Sequence, residues 1–160
     1  MGTESYIAPE RWVTPDFIVR CYHPGDGILL SEAVNASYEH LTTFMPWAKP
    51  YQSVEESETI VRRFRGRYLL NEDFVLGIFS ADECRLLGGS GFHLREGGLA
   101  QRSAEIGMWI RAEAAGKGLG TAVLKELLTW GFTVWPWERL AWRCDGRNLA
   151  SRRTAEKAGM

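Results

Sequence analysis

The feature that most constrains this chain is a cluster of three glycines directly in front of a helix-forming segment. In the stretch AEAAGKGLGTAVLKELL, residues 112–128, Gly116, Gly118 and Gly120 precede a run of good helix formers. Glycine loses more conformational freedom on folding than any other residue, so the cluster needs a physical reason. A chain that passes through glycines into a helix directs backbone N–H groups and the positive helix end toward one point. The segment is therefore either a plain turn or a place where the backbone closely approaches an anion.

Two common phosphate-binding motifs do not match this segment. A Walker A loop would need a glycine at Arg111 and a Ser or Thr at Gly118. A dinucleotide-binding GxGxxG motif would need a glycine at Thr121 and would follow an early strand, whereas this segment lies late in the chain. On these residues alone, a glycine-rich turn without a ligand stays open as the alternative.

The remaining sequence alternates between strand-like and helix-like patterns. Strands are predicted at residues 16–22, 74–80, 84–94, 104–110 and 138–144, and helices at 26–45, at 53–70, from Leu119 onward and at 148–160. Ser53 and Glu56 have the spacing of a capping box, and Asn148 is a suitable N-cap for the last helix. This order of elements predicts a single mixed α/β (α+β) domain over residues 1–160.

Composition narrows the classes of partner and compartment. The formal net charge is −1, which gives no general attraction to nucleic acid or to a membrane surface, so any anion site must be local. The three cysteines are odd in number and far apart, at Cys21, Cys84 and Cys144, which predicts neither a disulfide framework nor a zinc site. No apolar run approaches the ~20 residues of a membrane span. We expect a cytoplasmic protein, monomer or homodimer, that binds no nucleic acid, membrane or metal.

The glycine segment and its surroundings resemble the GNAT N-acetyltransferases. Gly118 and Gly120 match the Q/R-x-x-G-x-G/A loop of that family, although Ala115 stands where the family prefers Arg or Gln. AEIGMWI (104–110) is similar to the family's fourth strand, and RCDGRNLASRRTAEKAGM (143–160) to its fifth strand and following helix, with the pattern N-x-x-S. FMPWAKP (44–50) is typical of the RimJ/RimL-like branch. The resemblance extends from about residue 16 to the end and implies a GNAT fold, with a mixed, mostly antiparallel central sheet flanked by helices.

The resemblance implies that acetyl-CoA is the cosubstrate. Its pyrophosphate would lie against the backbone amides of Ala115, Gly116, Lys117, Gly118, Leu119, Gly120 and Thr121. In the family the fourth and fifth strands splay apart, so Met108, Trp109 and Ile110 would offer amides to the pantetheine arm and to a developing oxyanion. Asn148 would hydrogen-bond that arm as well as cap its helix. Gly107 marks either a close backbone approach or simple relief of crowding among large neighbours.

Acetyl transfer to an amine also needs a proton acceptor, because an alkyl amine with a pKa near ~10.4 is almost wholly protonated at neutral pH. The position of Glu105 resembles that of the glutamate base in GNAT histone acetyltransferases. The alternative is that Glu105 only pairs with an arginine. The last helix has no Tyr to protonate the leaving thiolate, so Ser151, the last residue of N-x-x-S, is the candidate acid, with helix capping as the alternative. The FMPWA loop lines the acceptor site or plugs a gap between two helices.

These features predict an N-acetyltransferase. It would move the acetyl group of acetyl-CoA to a primary amine, on a protein N-terminus or a small molecule, by direct attack in a ternary complex. The alternatives are a non-catalytic acyl-CoA-binding module and a nucleotide-binding domain of another kind. The sequence ends at EKAGM, where relatives continue into a further strand pair. We therefore expect a C-terminally short domain that lacks this strand pair and exposes the sheet edge at 138–144.

Overall fold

The computed structural model describes residues 5–160, except for the side chain of Glu96; the first four residues of the predicted domain lie outside the described part. Six strands follow one another across a single sheet: β1 (Arg11–Val13), β2 (Phe17–Cys21), β3 (Phe74–Ser80), β4 (Leu86–Gly97), β5 (Ser103–Ile110) and β6 (Arg139–Trp142). The helices are α1 (Gly27–Asn35), α2 (Tyr38–Leu41), α3 (Val54–Leu69), α4 (Gly98–Gln101), α5 (Leu119–Thr133) and α6 (Leu149–Lys157). The predicted mixed α/β class is confirmed.

The sheet is antiparallel from β1 to β5 and parallel only between β5 and β6. β6 runs parallel to β5 because the connection through α5 returns the chain to the end of the sheet at which β5 begins. All five predicted strands are present. The sequence reading missed β1, whose three residues pair with Ile18 to Arg20 of β2. A three-residue strand followed by Thr-Pro carries too little alternation to be recognised in the sequence.

Helices cover both faces of the sheet, each over its own apolar core. On one face α5 and α6 pack over the larger core, which includes Val19, Leu76, Phe92, Ile106, Val123, Leu124, Leu127 and Trp130. On the other face α1 and α3 pack over a smaller core of Tyr22, Leu30, Ala33, Val34, Val61, Phe79 and Leu86. Because side chains alternate along each strand, one strand contributes to both cores. The sheet thereby becomes a rigid support for the loops at its edge.

The predicted helix at 26–45 is wrong in extent, since α1 ends at Asn35 and α2 is a separate single turn. The side chain of Asn35 leaves the helix surface to pair with Gln52, donating to its carbonyl at 2.9 Å and accepting from its N–H at 2.8 Å. Ser37 Oγ accepts a hydrogen bond from the backbone N–H of Ala112 at 3.0 Å. Asn and Ser side chains compete with the helical backbone for hydrogen bonds, which favours a break here. The break brings α2 and the FMPWA loop beside β5.

Two predicted helix caps are present. Ser53 Oγ accepts from the N–H of Glu56 at 3.1 Å, as in half of a capping box, and the Glu56 carboxylate pairs with Lys49. Asn148 Oδ1 accepts from the N–H of Ser151 at 3.2 Å. Each cap satisfies a backbone donor that a helix start leaves without an intrahelical partner. These caps fix where α3 and α6 begin.

Candidate active site

The pairing between β5 and β6 ends halfway along β5. Their ladder runs from Ser103 paired with Arg139 to Ile106 paired with Trp142, where β6 ends. β5 continues to Ile110 and keeps its pairing with β4 on the other side, so a gap opens beside its last residues. The predicted separation of these strands is therefore present, and it exposes backbone hydrogen-bonding groups of β5.

The register decides which amides face this gap. The N–H of Arg111 donates to the carbonyl of Leu87 across the β4 ladder at 2.8 Å. Alternate residues of a strand present their backbone groups to the same side, so those of Trp109 also face β4, and those of Met108 and Ile110 face the gap. A Cβ on Gly88 would lie 2.2 Å from the carbonyl oxygen of Trp109, which agrees with this orientation. The predicted amide contact from Trp109 is thus wrong, whereas its indole lines the cleft described below.

The glycine segment forms the start of α5. Gly116 and Gly118 have φ of 74° and 83°, in the left-handed region that glycine adopts without strain, and Gly118 is the residue before the first helical position, Leu119. Within the described residues, no protein acceptor is found for the backbone N–H groups from Gly116 to Thr121. The first turn of α5 carries no acidic residue. Unpaired N–H groups at the positive end of a helix dipole form a site for an anion.

The gap and the glycine segment open into one cleft of about 710 Å³. Most of the predicted site residues line it: Met108, Trp109, Ile110, Ala115, Gly116, Gly118, Gly120, Thr121, Asn148 and Ser151. Lys117, Leu119 and Glu105 do not line it; Lys117 is exposed, and the side chain of Leu119 packs against the larger core. Phe44 and Met45 of the FMPWA loop also line this cleft, which agrees with the first of the two roles considered for that loop.

α6 forms another wall of the cleft. Ser151 Oγ accepts a hydrogen bond from the indole N–H of Trp142 at 3.2 Å, which leaves its own O–H as a donor. Asn148 uses its carbonyl oxygen as the helix cap, so its NH₂ group is available to another acceptor. Arg153 lines the cleft, whereas Arg152 pairs with Glu156 at 3.0 Å and lines a different groove. This wall presents the two neutral donors of Asn148 and Ser151 and the two cations Arg153 and Lys157.

Glu105 lies on β5 with its side chain almost completely buried beside two arginines. Its Oε2 accepts from Arg95 Nη1 at 2.5 Å, and its Oε1 lies 3.4 Å from Arg143 Nη1. A substrate amine would have to displace these guanidinium groups to reach either oxygen. The arrangement is that of the alternative considered for Glu105, pairing with arginine.

Arg111 is a positioning residue that the sequence reading missed. Its side chain is only 2% exposed, although it carries a full charge. It donates to both carboxylate oxygens of Glu32, to Glu113 at 2.5 Å and to the carbonyl of Leu86 at 3.0 Å. The hydrogen bond to Glu32 is the main factor that raises the pKa of Arg111 and lowers the pKa of Glu32. Glu32 lies 79 positions away, so no local sequence signal could reveal the pair.

His93 is a second polar residue that sequence reasoning did not assign to a role. It stands directly opposite Glu105 in the β4–β5 ladder, and its Nδ1 lies 3.1 Å from Asp73 Oδ2.

Over residues 5–160 the structure has no cluster of three or more His, Cys, Asp or Glu side chains that could hold a metal ion. In the same range no helix combines the length and the apolar character needed to cross a bilayer.

The sequence and the fold were compared with those of known proteins. The sequence profile of the family described as "Acetyltransferase (GNAT) domain" matches residues 18–160. The Bacillus subtilis (strain 168) protein named "Probable N-acetyltransferase YjcK" is 31% identical over 113 residues, which are 70% of this chain and 61% of that relative. The chain therefore spans less than two thirds of this relative's length.

Two solved structures share the fold. One is RimL, a ribosomal L7/L12 α-N-protein acetyltransferase in complex with coenzyme A, with a TM-score of 0.82 and 20% identity over 94% of this chain and 83% of that one. The other is the microcin C7 self-immunity acetyltransferase MccE with acetyl-CoA and AMP, with a TM-score of 0.80 and 18% identity over 91% of this chain and 79% of that one. At sequence identities this low, the similarity shows that the chains share a fold and does not show a shared substrate.

Proposed function

This chain belongs to the GNAT acetyltransferase family, and on that premise we propose that it transfers the acetyl group of acetyl-CoA to a primary amine. The observation that carries the proposal is the meeting of two sets of backbone donors in one cleft. The N–H groups from Gly116 to Thr121 suit a diphosphate, and the gap beside Met108 and Ile110 suits an extended chain that pairs like a strand. The fold neighbours described with CoA or acetyl-CoA support this reading.

The residues present fit acetyl-CoA at three places. The amides of the glycine segment would hold its pyrophosphate, and those of Met108 and Ile110 would pair with its pantetheine arm. Asn148 would donate its free NH₂ to the same arm, and the charge of Arg153 would attract a phosphate. When bound, acetyl-CoA supplies an activated thioester as the acetyl donor. Ala115 adds no side-chain contact, so the backbone carries this part of the binding.

The chemistry asks two further tasks of the protein. An N–H of the gap, from Met108 or Ile110, would stabilise negative charge that develops on the thioester oxygen. The O–H of Ser151, whose oxygen already accepts from Trp142, would supply a proton to the leaving sulfur. Direct attack by the amine in a ternary complex requires no covalent intermediate on the enzyme. The acceptor is a protein N-terminal α-amino group, as in the RimJ/RimL-like branch, or a small-molecule amine.

A non-catalytic acyl-CoA-binding module is the second candidate. The observation that favours it is the pairing of Glu105, whose two carboxylate oxygens already contact Arg95 and Arg143 and so are not available to a substrate amine. Such a module would use the same cleft for the same ligand. It would bind acetyl-CoA without releasing CoA in the presence of amines.

Two measurements separate these functions. Thermal melting with acetyl-CoA, CoA and ATP tests binding, because a ligand that binds only the folded state raises its melting temperature. We expect stabilisation by acetyl-CoA and CoA but not by ATP at equal concentration. Thiol release is then followed with a panel of α-amino peptides, polyamines and amino acids. Release with one class supports the transferase, and binding without release across the panel supports the binding module.

A further inference from the structure

A histidine and an aspartate form a pair on the sheet beside the gap. The Nδ1 atom of His93 lies 3.1 Å from Asp73 Oδ2, and the N–H of Leu94 donates to Asp73 Oδ1 at 3.3 Å. Burial favours the neutral acid, but the hydrogen bond from His93, the charge of that ring when it is protonated, and the backbone N–H groups of Leu94 and Phe74 together keep the pKa of Asp73 below its usual range. An ionised carboxylate only accepts hydrogen bonds, so Nδ1 donates to Asp73, and in the neutral imidazole the lone pair then lies on Nε2.

Two glycines on adjacent strands make room for this imidazole. A Cβ on Gly91 would lie 2.7 Å from the carbonyl oxygen of Phe74, 2.9 Å from His93 Cε1 and 3.0 Å from Nε2, and a Cβ on Gly107 would lie 3.3 Å from Nε2. Gly107 keeps a regular register with Gly91, which excludes a bulge at this position. The pair of glycines therefore leaves space for the ring, with Nε2 close to both β4 and β5.

The Nε2 atom lies near Gly107, next to the point along β5 where its pairing with β6 ends. Gly107 follows Ile106, the last residue of β5 that pairs with β6, and precedes Met108, which lines the cleft. No protein group in the described part of the chain donates to or accepts from Nε2. His93 does not itself line the cleft; its unoccupied acceptor atom lies over Gly107, one residue along β5 from Met108, whose backbone groups face the gap.

The charged groups around His93 distinguish it from Glu105. Asp73 faces it from the start of β3, and Glu105 faces it across the ladder from β5. Arg95 and Arg143 bind the two oxygens of Glu105. Of the two possible proton acceptors near Gly107, only the imidazole has a lone pair that no protein cation occupies.

We propose that His93 is the general base of the transfer, that Asp73 is its positioning residue, and that Glu105 positions Arg95 and Arg143. The proposal rests on the proposed function. The neutral Nε2 accepts a proton from the acceptor ammonium, and the freed nitrogen pair forms the C–N bond with the thioester carbon as the C–S bond breaks. The second nitrogen proton reaches the leaving sulfur through the Ser151 hydroxyl, and the imidazolium returns its proton to solvent.

The pH dependence of kcat/KM tests this assignment. With an imidazole base, kcat/KM of the wild type should rise with pH and level off well below the ~10.4 at which the free amine titrates. His93→Gln should lower kcat/KM at pH 7 by about 10²–10⁴-fold, and its rate should keep rising with pH in step with the free amine. Glu105→Gln should keep the wild-type shape. His23→Gln, an exposed histidine outside the cleft, is the matched control and should match the wild type.

A spectroscopic readout tests the pair without turnover. In the ligand-free protein, ¹⁵N NMR of the His93 ring should show Nδ1 protonated and Nε2 unprotonated, and Asp73→Asn should change this to a mixture of tautomers. Added imidazole should restore turnover to His93→Ala, which a merely structural histidine would not allow. A neutral ring that carries its proton on Nε2 in the wild type would overturn the proposal.

The outcomes separate the two proposals. A wild type that transfers acetyl groups with kcat/KM proportional to free amine up to pH 10 overturns the role of His93 and leaves the transferase intact. This result needs no variant, so it decides the matter even if His93→Gln fails to fold. If Glu105→Gln loses the plateau in the pH dependence of kcat/KM and His93→Gln keeps it, Glu105 and not His93 is the general base. Acetyl-CoA binding without transfer to any amine would overturn the proposed function and the His93 base together.

Discussion

Arg111 and Glu32 form a bidentate ion pair, with Nη1–Oε1 at 2.8 Å and Nη2–Oε2 at 2.6 Å. Arg111 stands between the end of β5 and the glycine segment, and Glu32 lies on α1. The next residue, Ala112, donates its N–H to the hydroxyl of Ser37, which lies between α1 and α2. These contacts attach the chain leading into the glycine segment to α1, so the position of the proposed phosphate site depends on a helix far away in sequence.

Replacing Arg111 by Met should destabilise the fold by about 2 kcal/mol, because it removes a buried hydrogen-bonding group while keeping much of its volume. The carbonyl of Leu86 would lose its side-chain donor, whereas Glu32 is half exposed and can be hydrated. Urea denaturation measures the change. Arg152→Gln is the control, since its pair with Glu156 is exposed on both sides and should contribute less than ~1 kcal/mol. Equal losses in the two variants would contradict the role of Arg111.

The same pair predicts part of the acid sensitivity. The hydrogen bond from Arg111 lowers the pKa of Glu32 in the folded state, so its stabilisation is present above the unfolded pKa near ~4.3 and is lost as the pH falls through the lower folded value. Glu32→Gln should therefore be less stable than the wild type at pH 7, and the difference should shrink as the pH is lowered below ~4. Chemical denaturation at several pH values checks this. A difference that stays constant down to pH 2 would show that the charge of Glu32 is not responsible.

The fold was largely predictable from the sequence because its elements have strong local signals. The glycines ahead of α5, the Ser53 cap of α3 and the Asn148 cap of α6 all appear where the pattern placed them. The errors have physical causes. β1 is too short to show alternation, and the helix predicted over 26–45 breaks because Asn35 and Ser37 bond to distant segments instead of the helix.

The candidate site was predictable only where backbone geometry follows from local sequence. The glycine segment and the strand beside it are contiguous, so one motif indicated both. Side-chain partners over long separations were not predictable: Asp73 meets His93 20 residues away, and Arg143 meets Glu105 38 residues away. The orientation of the Trp109 amide depends on the register with β4, which no single strand pattern contains.

Gly66→Ala should stabilise the protein by about 0.5–1 kcal/mol. Gly66 lies inside α3, has no positive φ, and would gain a Cβ with no atom within 4 Å. Alanine loses less backbone freedom on folding and favours the helix. Denaturant midpoints compare the variant with Gly25→Ala as the contrast. Gly25 also has open space for a Cβ but a φ of 101°, so the same substitution there should destabilise. A destabilising Gly66→Ala would show a constraint on α3 that the structure does not contain.

Gly118→Asp should abolish acetyl-CoA binding, and Gly118→Asn should keep most of it. An added Cβ at Gly118 has no atom within 4 Å, so both side chains have room. Asn and Asp are similar in size and tolerate the left-handed φ of 83° better than other non-glycine residues, which leaves charge as the main difference between them. A carboxylate beside the N–H groups from Gly116 to Thr121 would occupy or repel the position proposed for the diphosphate. Isothermal titration with acetyl-CoA should show a loss of at least ~100-fold for Asp relative to Asn, about 2.7 kcal/mol. If both variants bind equally, the diphosphate does not lie at the start of α5, and the cleft must hold its ligand by other groups.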